Sequence, residues 1–209
     1  MMNGKFIVFE GSDGSGKSTV LEKVKSYLDQ KNIDYVLTRE PGGTSIGEQI
    51  RDILLNVDSH KMHDRTEVLL FAAARAQSVE EKVKPNIEAG KLVISDRYVL
   101  SSLAYQGYAR QVGVDQVKAI NDFATDSLKP DYTFFLDVDP ITVLNRKKAS
   151  EDPDRLEKET NLFHERVYEG YKQLINDESF IVIDASKTVD EVVNEVIEKL
   201  DEILEEKWN

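Results

Sequence analysis

The run Gly11-Ser12-Asp13-Gly14-Ser15-Gly16-Lys17-Ser18 matches G-x-x-x-x-G-K-[ST] at every required position. The chemistry open to such a run is the binding of a polyphosphate. Its glycines let the backbone curl so that successive N–H groups point into one anion-sized hollow. A helix starting at its end adds the partial positive charge of its N-terminus. Lys17 could then reach the β and γ phosphates, and the Ser18 hydroxyl could ligate Mg²⁺. The plain alternative is a glycine turn with an exposed lysine, which does not require the complete match. A nucleoside triphosphate site over Gly11–Ser18 and Thr19 is the first expectation.

A second group could hold an acceptor. Arg39-Glu40-Pro41-Gly42-Gly43-Thr44 and Asp96-Arg97-Tyr98 each follow an apolar run, with Ser101-Ser102-Leu103-Ala104-Tyr105-Gln106-Gly107 close behind the second. Arginines suit bidentate phosphate binding. Phe71 and Arg75, at i and i+4, share one helix face, where a ring could stack on a base and a guanidinium meet its edge. Taken singly, the arginines could be surface ion pairs and Phe71 could be core.

Those groups need a frame. Lys5–Glu10, Tyr35–Arg39, Leu92–Ser95, Tyr132–Asp137 and Phe180–Ile183 read as strands buried on both faces. Between them Val20, Leu21, Val24 and Leu28 keep a helical period, as do Ile46, Ile50, Ile53 and Leu54. Ser45-x-x-Glu48 and Asp64-x-x-Glu67 read as capping boxes. The stripe Val192, Val193, Val196, Ile197, Leu200, Ile203 and Leu204 predicts a last helix docked on the sheet. Strands alternating with helices predict an α/β fold: a five-stranded parallel sheet in three layers, forming one domain over 1–209. Every acceptor cluster then lies just beyond a strand end. The charged segment 145–155 predicts a mobile surface loop.

Composition narrows the classes. With 27 basic and 39 acidic residues the net charge is −12, a poor fit to nucleic-acid or anionic-membrane binding. Residues 188–209 carry eight acids and two lysines, half of that excess. No apolar run approaches a membrane span, and the first residues do not read as a signal peptide. The chain contains no cysteine, which removes thiol chemistry and fits a cytoplasmic protein. His60, His63 and His164 lack metal-ligand spacing and read as surface residues. Neither N-K-x-D nor L-S-G-G-Q occurs, so the size points to a small phosphotransferase.

The Phe9-Glu10 lead into the phosphate motif, Thr38–Thr44, Leu70-Phe71-Ala72-Ala73-Ala74-Arg75-Ala76-Gln77, Asp96–Gly107, Leu136–Pro140 and Asp154-Arg155-Leu156-Glu157 together resemble the bacterial thymidylate kinase (dTMP kinase) family. The resemblance runs from residue 5 to the C-terminal helix. It implies a P-loop fold of the nucleoside monophosphate kinase type with a lid at about 145–155. The implied reaction moves the γ-phosphoryl of Mg·ATP to dTMP, giving dTDP and ADP on the way to dTTP. By resemblance, Arg39 and Arg97 hold the acceptor phosphate, Phe71 stacks on thymine, and Arg75 bonds the base edge. Ser102 and Gln106 lie near the ring, Tyr105 presses on the deoxyribose, and Asp13 touches the acceptor side. Arg146 covers adenine opposite Ala185 and Thr188. From its own chemistry, Asp96 reads as a water-mediated Mg²⁺ partner beside Ser18 or as the partner of Arg97, with Asp137 as runner-up.

Gly14 stands where some members carry arginine, so Lys147, Lys148 and Arg155 of the lid are the cations expected to join Lys17, Asp13 and Arg97 in catalysis. A homodimer is also implied. The chemistry agrees, since a phosphate monoester, with a second pKa of about 6, is largely dianionic at neutral pH. It needs alignment and neutralisation but no general base. A deoxynucleoside kinase using Asp96 or Glu40 as base on a 5′-hydroxyl, and a nucleotide-switched binding protein, are the alternatives.

Overall fold

The computed structural model describes residues 4–140, 142–143, 153–175 and 179–205. Strands β1 (Lys5–Glu10), β2 (Tyr35–Arg39), β3 (Leu92–Asp96), β4 (Tyr132–Asp137) and β5 (Phe180–Asp184) form a sheet of order β2-β3-β1-β4-β5. All four pairings are parallel. Among the described residues the α-helices are α1 (Lys17–Gln30), α2 (Ser45–Leu55), α3 (Asp64–Ser78), α4 (Lys84–Glu88), α5 (Val99–Ser102), α6 (Val114–Thr125), α7 (Asn161–Leu174) and α8 (Val189–Glu205). The expected α/β architecture is thus present.

Side chains alternate across a strand, and here both faces are apolar. Ile7, Phe9, Leu92, Ile94, Phe134 and Leu136 join Val20, Leu21, Val24 and Leu28 of α1 and the α8 stripe in one core layer. Phe6, Val8 and Val93 face the opposite way, onto Val79, Val83 and Tyr98. Phe135 meets Phe163, Val167 and Tyr171 of α7 on that same side. Two covered faces explain why the strands read as continuous apolar runs rather than alternating ones.

Both expected capping boxes are replaced. The N-cap of α2 is Thr44, whose hydroxyl accepts from the Gly47 N–H at 3.0 Å. Glu48 instead accepts from the Gly43 N–H at 2.7 Å and pairs with Arg39. The N-cap of α3 is His63, through Nδ1 on the Arg65 N–H, and Glu67 turns inward to other partners. In each case a side chain one residue earlier takes the cap, freeing the glutamate for a tertiary contact.

Two π-helical turns interrupt the helices, Val79–Val83 after α3 and Leu103–Ala109 after α5. Such turns often sit at functional sites. The second buries both Tyr105 and Gln106.

Candidate active site

A cavity of about 520 Å³ opens at the carboxyl ends of β1, β2 and β3, where open α/β sheets bind ligands. The register sets Arg39, Asp96 and Phe9 in one row across those ends. Asp13, Gly14, Gly16, Lys17, Ser18 and Thr19 line one end, and Phe71, Arg75, Ser102 and Gln106 the other, with Arg39, Asp96, Arg97 and Tyr105 between.

At the first end the chain turns from β1 into α1 through residues with left-handed backbone. Gly16, the N-cap of α1, has φ 94°. At Gly11 (φ 146°) a Cβ would come within 2.9 Å of the Leu136 carbonyl, so only glycine fits. Lys17 is buried, and its ammonium donates to the carbonyls of Gly11 at 2.8 Å and Ser12 at 3.1 Å. Burial first, and Arg97 second, lower its pKa to about 8 against the pull of Asp13, Asp96 and Glu10. A lysine held this way gains when a polyphosphate arrives to replace two carbonyls.

Arg97 stands at the centre with φ 72°, an uncommon conformation for a side-chain-bearing residue that clusters at functional sites. Its guanidinium donates to Asp13 at 2.5 Å, to the Gly11 carbonyl at 3.0 Å, to Ser101 Oγ at 2.9 Å and to the Tyr171 hydroxyl at 3.2 Å. It also lies over the Tyr105 ring, whose hydroxyl donates to the other Asp13 oxygen at 2.9 Å. The carboxylate paired with Arg97 is therefore Asp13. Asp96 lines the cavity with Ser18, and its buried Oδ1 has no hydrogen-bond partner among the described residues.

Behind Arg97 sits Glu10, a residue to which the sequence reading gave no role. It is fully buried and accepts from the N–H groups of Tyr98 (2.8 Å) and Ser101 (3.2 Å), from Ser101 Oγ (2.6 Å) and from the Tyr171 hydroxyl (3.1 Å). Two of these partners are the same hydroxyls that grip Arg97. The available signal was an acid closing an otherwise apolar strand, since a buried charge must be hydrogen-bonded.

At the far end Arg75 is 1% exposed. It donates to Glu40 (2.5 Å), Ser102 Oγ (3.0 Å), the Tyr98 carbonyl (3.0 Å) and Asn121 Oδ1. Burial, only partly offset by Arg75, raises the Glu40 carboxyl above the ordinary carboxylate range. Phe71 packs with Leu54 and Leu156, and with Leu156 forms one wall of the cavity. Asn121 and Arg51 are further residues that the sequence reading missed. Arg51 lines the cavity and donates to the Pro41 carbonyl at 2.8 Å; as a single arginine inside α2, outside any motif, it carried no distinguishing pattern.

Other expected positions lie apart. Arg155 donates to the Leu54 carbonyl at 2.7 Å and pairs with Glu67 at 2.7 Å, so this structure does not bring it to Lys17. Ala185 packs in the core, while the Thr188 hydroxyl donates to Glu191 at the start of α8. Asp137 accepts from Tyr168 and Lys172. Arg146, Lys147 and Lys148 lie outside the described residues.

The donor set fits Mg²⁺. Asp96 Oδ1 and the Ser18 hydroxyl are hard oxygens on the cavity wall, and among the described residues no group of three or more His, Asp or Glu forms a closed metal cage. Mg²⁺ typically takes one or two protein oxygens and completes its shell with water and phosphate.

The sequence pattern of one family, Thymidylate kinase, matches residues 9–196. A thymidylate kinase of Finegoldia magna is 52% identical over 196 residues, covering 93% of this chain and 97% of that protein. Those of Lactobacillus acidophilus and Clostridium novyi are 52% identical over 204 residues and 48% over 200. They cover 95% and 94% of this chain, and 94% and 98% of their own lengths.

Proposed function

The chain belongs to the thymidylate kinase family, and we infer from that membership that it transfers the γ-phosphoryl group of ATP to dTMP, giving dTDP and ADP. The observation that carries the assignment of this reaction to the cavity is its two-ended lining. Lys17 of the phosphate loop stands at one end and Phe71, Arg75 and Gln106 at the other, with Arg39, Arg51 and Arg97 between. A triphosphate and a nucleotide monophosphate entering from opposite ends would meet at Arg97.

Lys17 and the loop N–H groups of residues 11–18 hold the β and γ phosphates, with Thr19 beside them. Arg39, Arg51 and Arg97 take the acceptor phosphate, and Asp13 aims Arg97 through their 2.5 Å pair. Phe71 stacks on the base, Arg75, Ser102 and Gln106 meet its edge, and Tyr105 lies against the sugar. Ser18, and Asp96 through water, hold Mg²⁺, which when bound neutralises charge on the transferring phosphoryl. No carboxylate need abstract a proton, because the acceptor oxygen is already ionised.

Arg146, Lys147 and Lys148 remain proposed lid contacts, with Ala185 and Thr188 near the adenine. Arg155 would have to leave Glu67 and the Leu54 carbonyl to join them. The deoxynucleoside-kinase and nucleotide-switch readings are set aside with the family assignment; Glu40 in any case is engaged by Arg75.

The protein acts in the cytoplasm on this reading, and no described helix is long and apolar enough to cross a membrane. A homodimer is supported by exposed apolar groups on packed neighbours: Ile46 and Ile53 on one face of α2, and Leu69 on α3.

The test is ADP release with Mg·ATP against dTMP, dUMP, dCMP, dGMP, UMP, AMP and thymidine. Turnover dominated by dTMP is expected. Preference for thymidine over dTMP would overturn the acceptor-phosphate roles of Arg39, Arg51 and Arg97.

A further inference from the structure

Glu67 is 1% exposed and does not line the cavity. Its Oε1 accepts from Gln106 Nε2 at 2.9 Å and from Arg110 Nε at 3.3 Å, and its Oε2 takes Arg110 at 3.2 Å and Arg155 at 2.7 Å. Burial alone would favour the neutral acid, but Arg110, Gln106 and Arg155 outweigh it and lower the carboxyl pKa. Glu67 is accordingly an ionised group at neutral pH.

An ionised carboxylate accepts hydrogen bonds and never donates them. The two ends of a carboxamide differ little in shape, so its orientation is decided by partners. Only the nitrogen end of Gln106 can face Glu67, which leaves the oxygen as the acceptor that this cavity-lining residue offers a ligand. Arg75 lines the same end with donors. Four hydrogen bonds tie it down, leaving one of the five N–H groups of a guanidinium for a ligand among the described residues. The two side chains together present a donor and an acceptor in fixed order.

We propose that Glu67 is a positioning residue for base selection. By holding the Gln106 nitrogen, it keeps an acceptor turned to the cavity. The site then matches a base edge in which a ring N–H adjoins a carbonyl, as in thymine and uracil. A base edge with a bare ring nitrogen beside an amino group, as in cytosine, meets an acceptor facing an acceptor and a donor facing a donor. Glu67 discriminates without touching the base. The inference rests on the assignment of a pyrimidine monophosphate to this end of the cavity.

The experiment measures kcat and KM for dTMP, dUMP and dCMP in the unsubstituted protein, Glu67→Gln, Gln106→Met and the double variant. A neutral amide at 67 can donate as well as accept, so Gln106 is free to flip. Glu67→Gln should lower the dTMP-to-dCMP ratio of kcat/KM about tenfold or more, mainly through KM for dTMP. The dTMP-to-dUMP ratio should stay unchanged, because both bases carry the imide edge. In the Gln106→Met background the same substitution should change the dTMP-to-dCMP ratio by less than about twofold, as expected for residues acting through one contact.

A uniform loss on all three acceptors, or an equal effect in the Gln106→Met background, would reduce Glu67 to a structural role. Glu67→Asp guards against a neutral variant that fails to fold. It retains the charge needed by Arg110 and Arg155 but withdraws the acceptor by one methylene, and should still lower discrimination about threefold. A folded Glu67→Asp with full discrimination overturns the proposal. Absence of dTMP turnover in the unsubstituted protein would overturn the reading of function and this inference with it, whereas equal effects across acceptors in an active enzyme overturn the inference alone.

Discussion

The two ends of the cavity hold their cations in different ways. Arg75, at the end proposed for the base, has a side chain 1% exposed and gives its bonds to side chains and one carbonyl brought from three separate segments. Arg97 is 16% exposed, Arg39 is 51% exposed, and Lys17 is held by carbonyls of its own loop. A group that must meet a charged ligand needs partners it can release. A group that reads a base edge needs a fixed direction, which comes from partners it never releases. On the proposed assignment, preorganisation at the end that takes the base and exchangeability at the end that takes the phosphates are two answers to two tasks.

Substitutions at the two ends should therefore fail differently. Lys17→Ala removes the exchangeable cation and should lower kcat/KM about 10³-fold or more with the fold intact; steady-state kinetics beside circular dichroism checks both parts. Near wild-type turnover would break the assignment of the phosphate end. Glu10→Gln leaves two N–H donors and two hydroxyls facing an amide. It should lose about 2–3 kcal/mol in denaturant unfolding and lower kcat about tenfold as the grip on Arg97 loosens. A stability loss without a change in kcat would separate Glu10 from the chemistry.

A pH series sharpens the contrast further. Lys17, with a pKa lowered to about 8, loses its proton as pH rises through that value, whereas a phosphate-paired lysine keeps it. ATP binding above pH 8 must then take up a proton, and its Kd should rise by up to about tenfold per pH unit. Calorimetry in buffers of different ionisation enthalpy detects the uptake. A flat Kd between pH 7.5 and 9.5 would mean that Lys17 is not the group exchanged. The smallest effect belongs to Asn121→Ala at the base end. One of four ties on Arg75 goes, so KM for dTMP should rise about threefold with kcat within about twofold.

Much of the phosphate end was legible because its information is local. The eight residues from Gly11 to Ser18 specify a turn, a helix start and a cation within one short stretch, and the preceding apolar run fixes where the sheet lies. The base end was legible only as residue types. Phe71 and Arg75 were identifiable from their i, i+4 spacing, but nothing in the spacing points to Asn121, 46 residues from Arg75. Glu67 shows the same limit from the other side. Read locally it is the third position of a capping box, yet its four partner contacts come from Gln106, Arg110 and Arg155.

The sequence by itself determined the parallel α/β frame, the phosphate loop and the inventory of cations and aromatics at the strand ends. Local turn chemistry and apolar runs are properties of neighbouring residues. Tertiary structure alone decided that Asp13 rather than Asp96 pairs with Arg97, that Glu10 anchors the hydroxyls around it, and that Arg155 rests on Glu67. It also decided that the π-helical turn at Leu103–Ala109 buries Tyr105 and Gln106 together. These contacts join segments as far as 161 residues apart. Buried polar groups must find partners wherever packing brings them, and the sequence names the groups without saying which of them will meet.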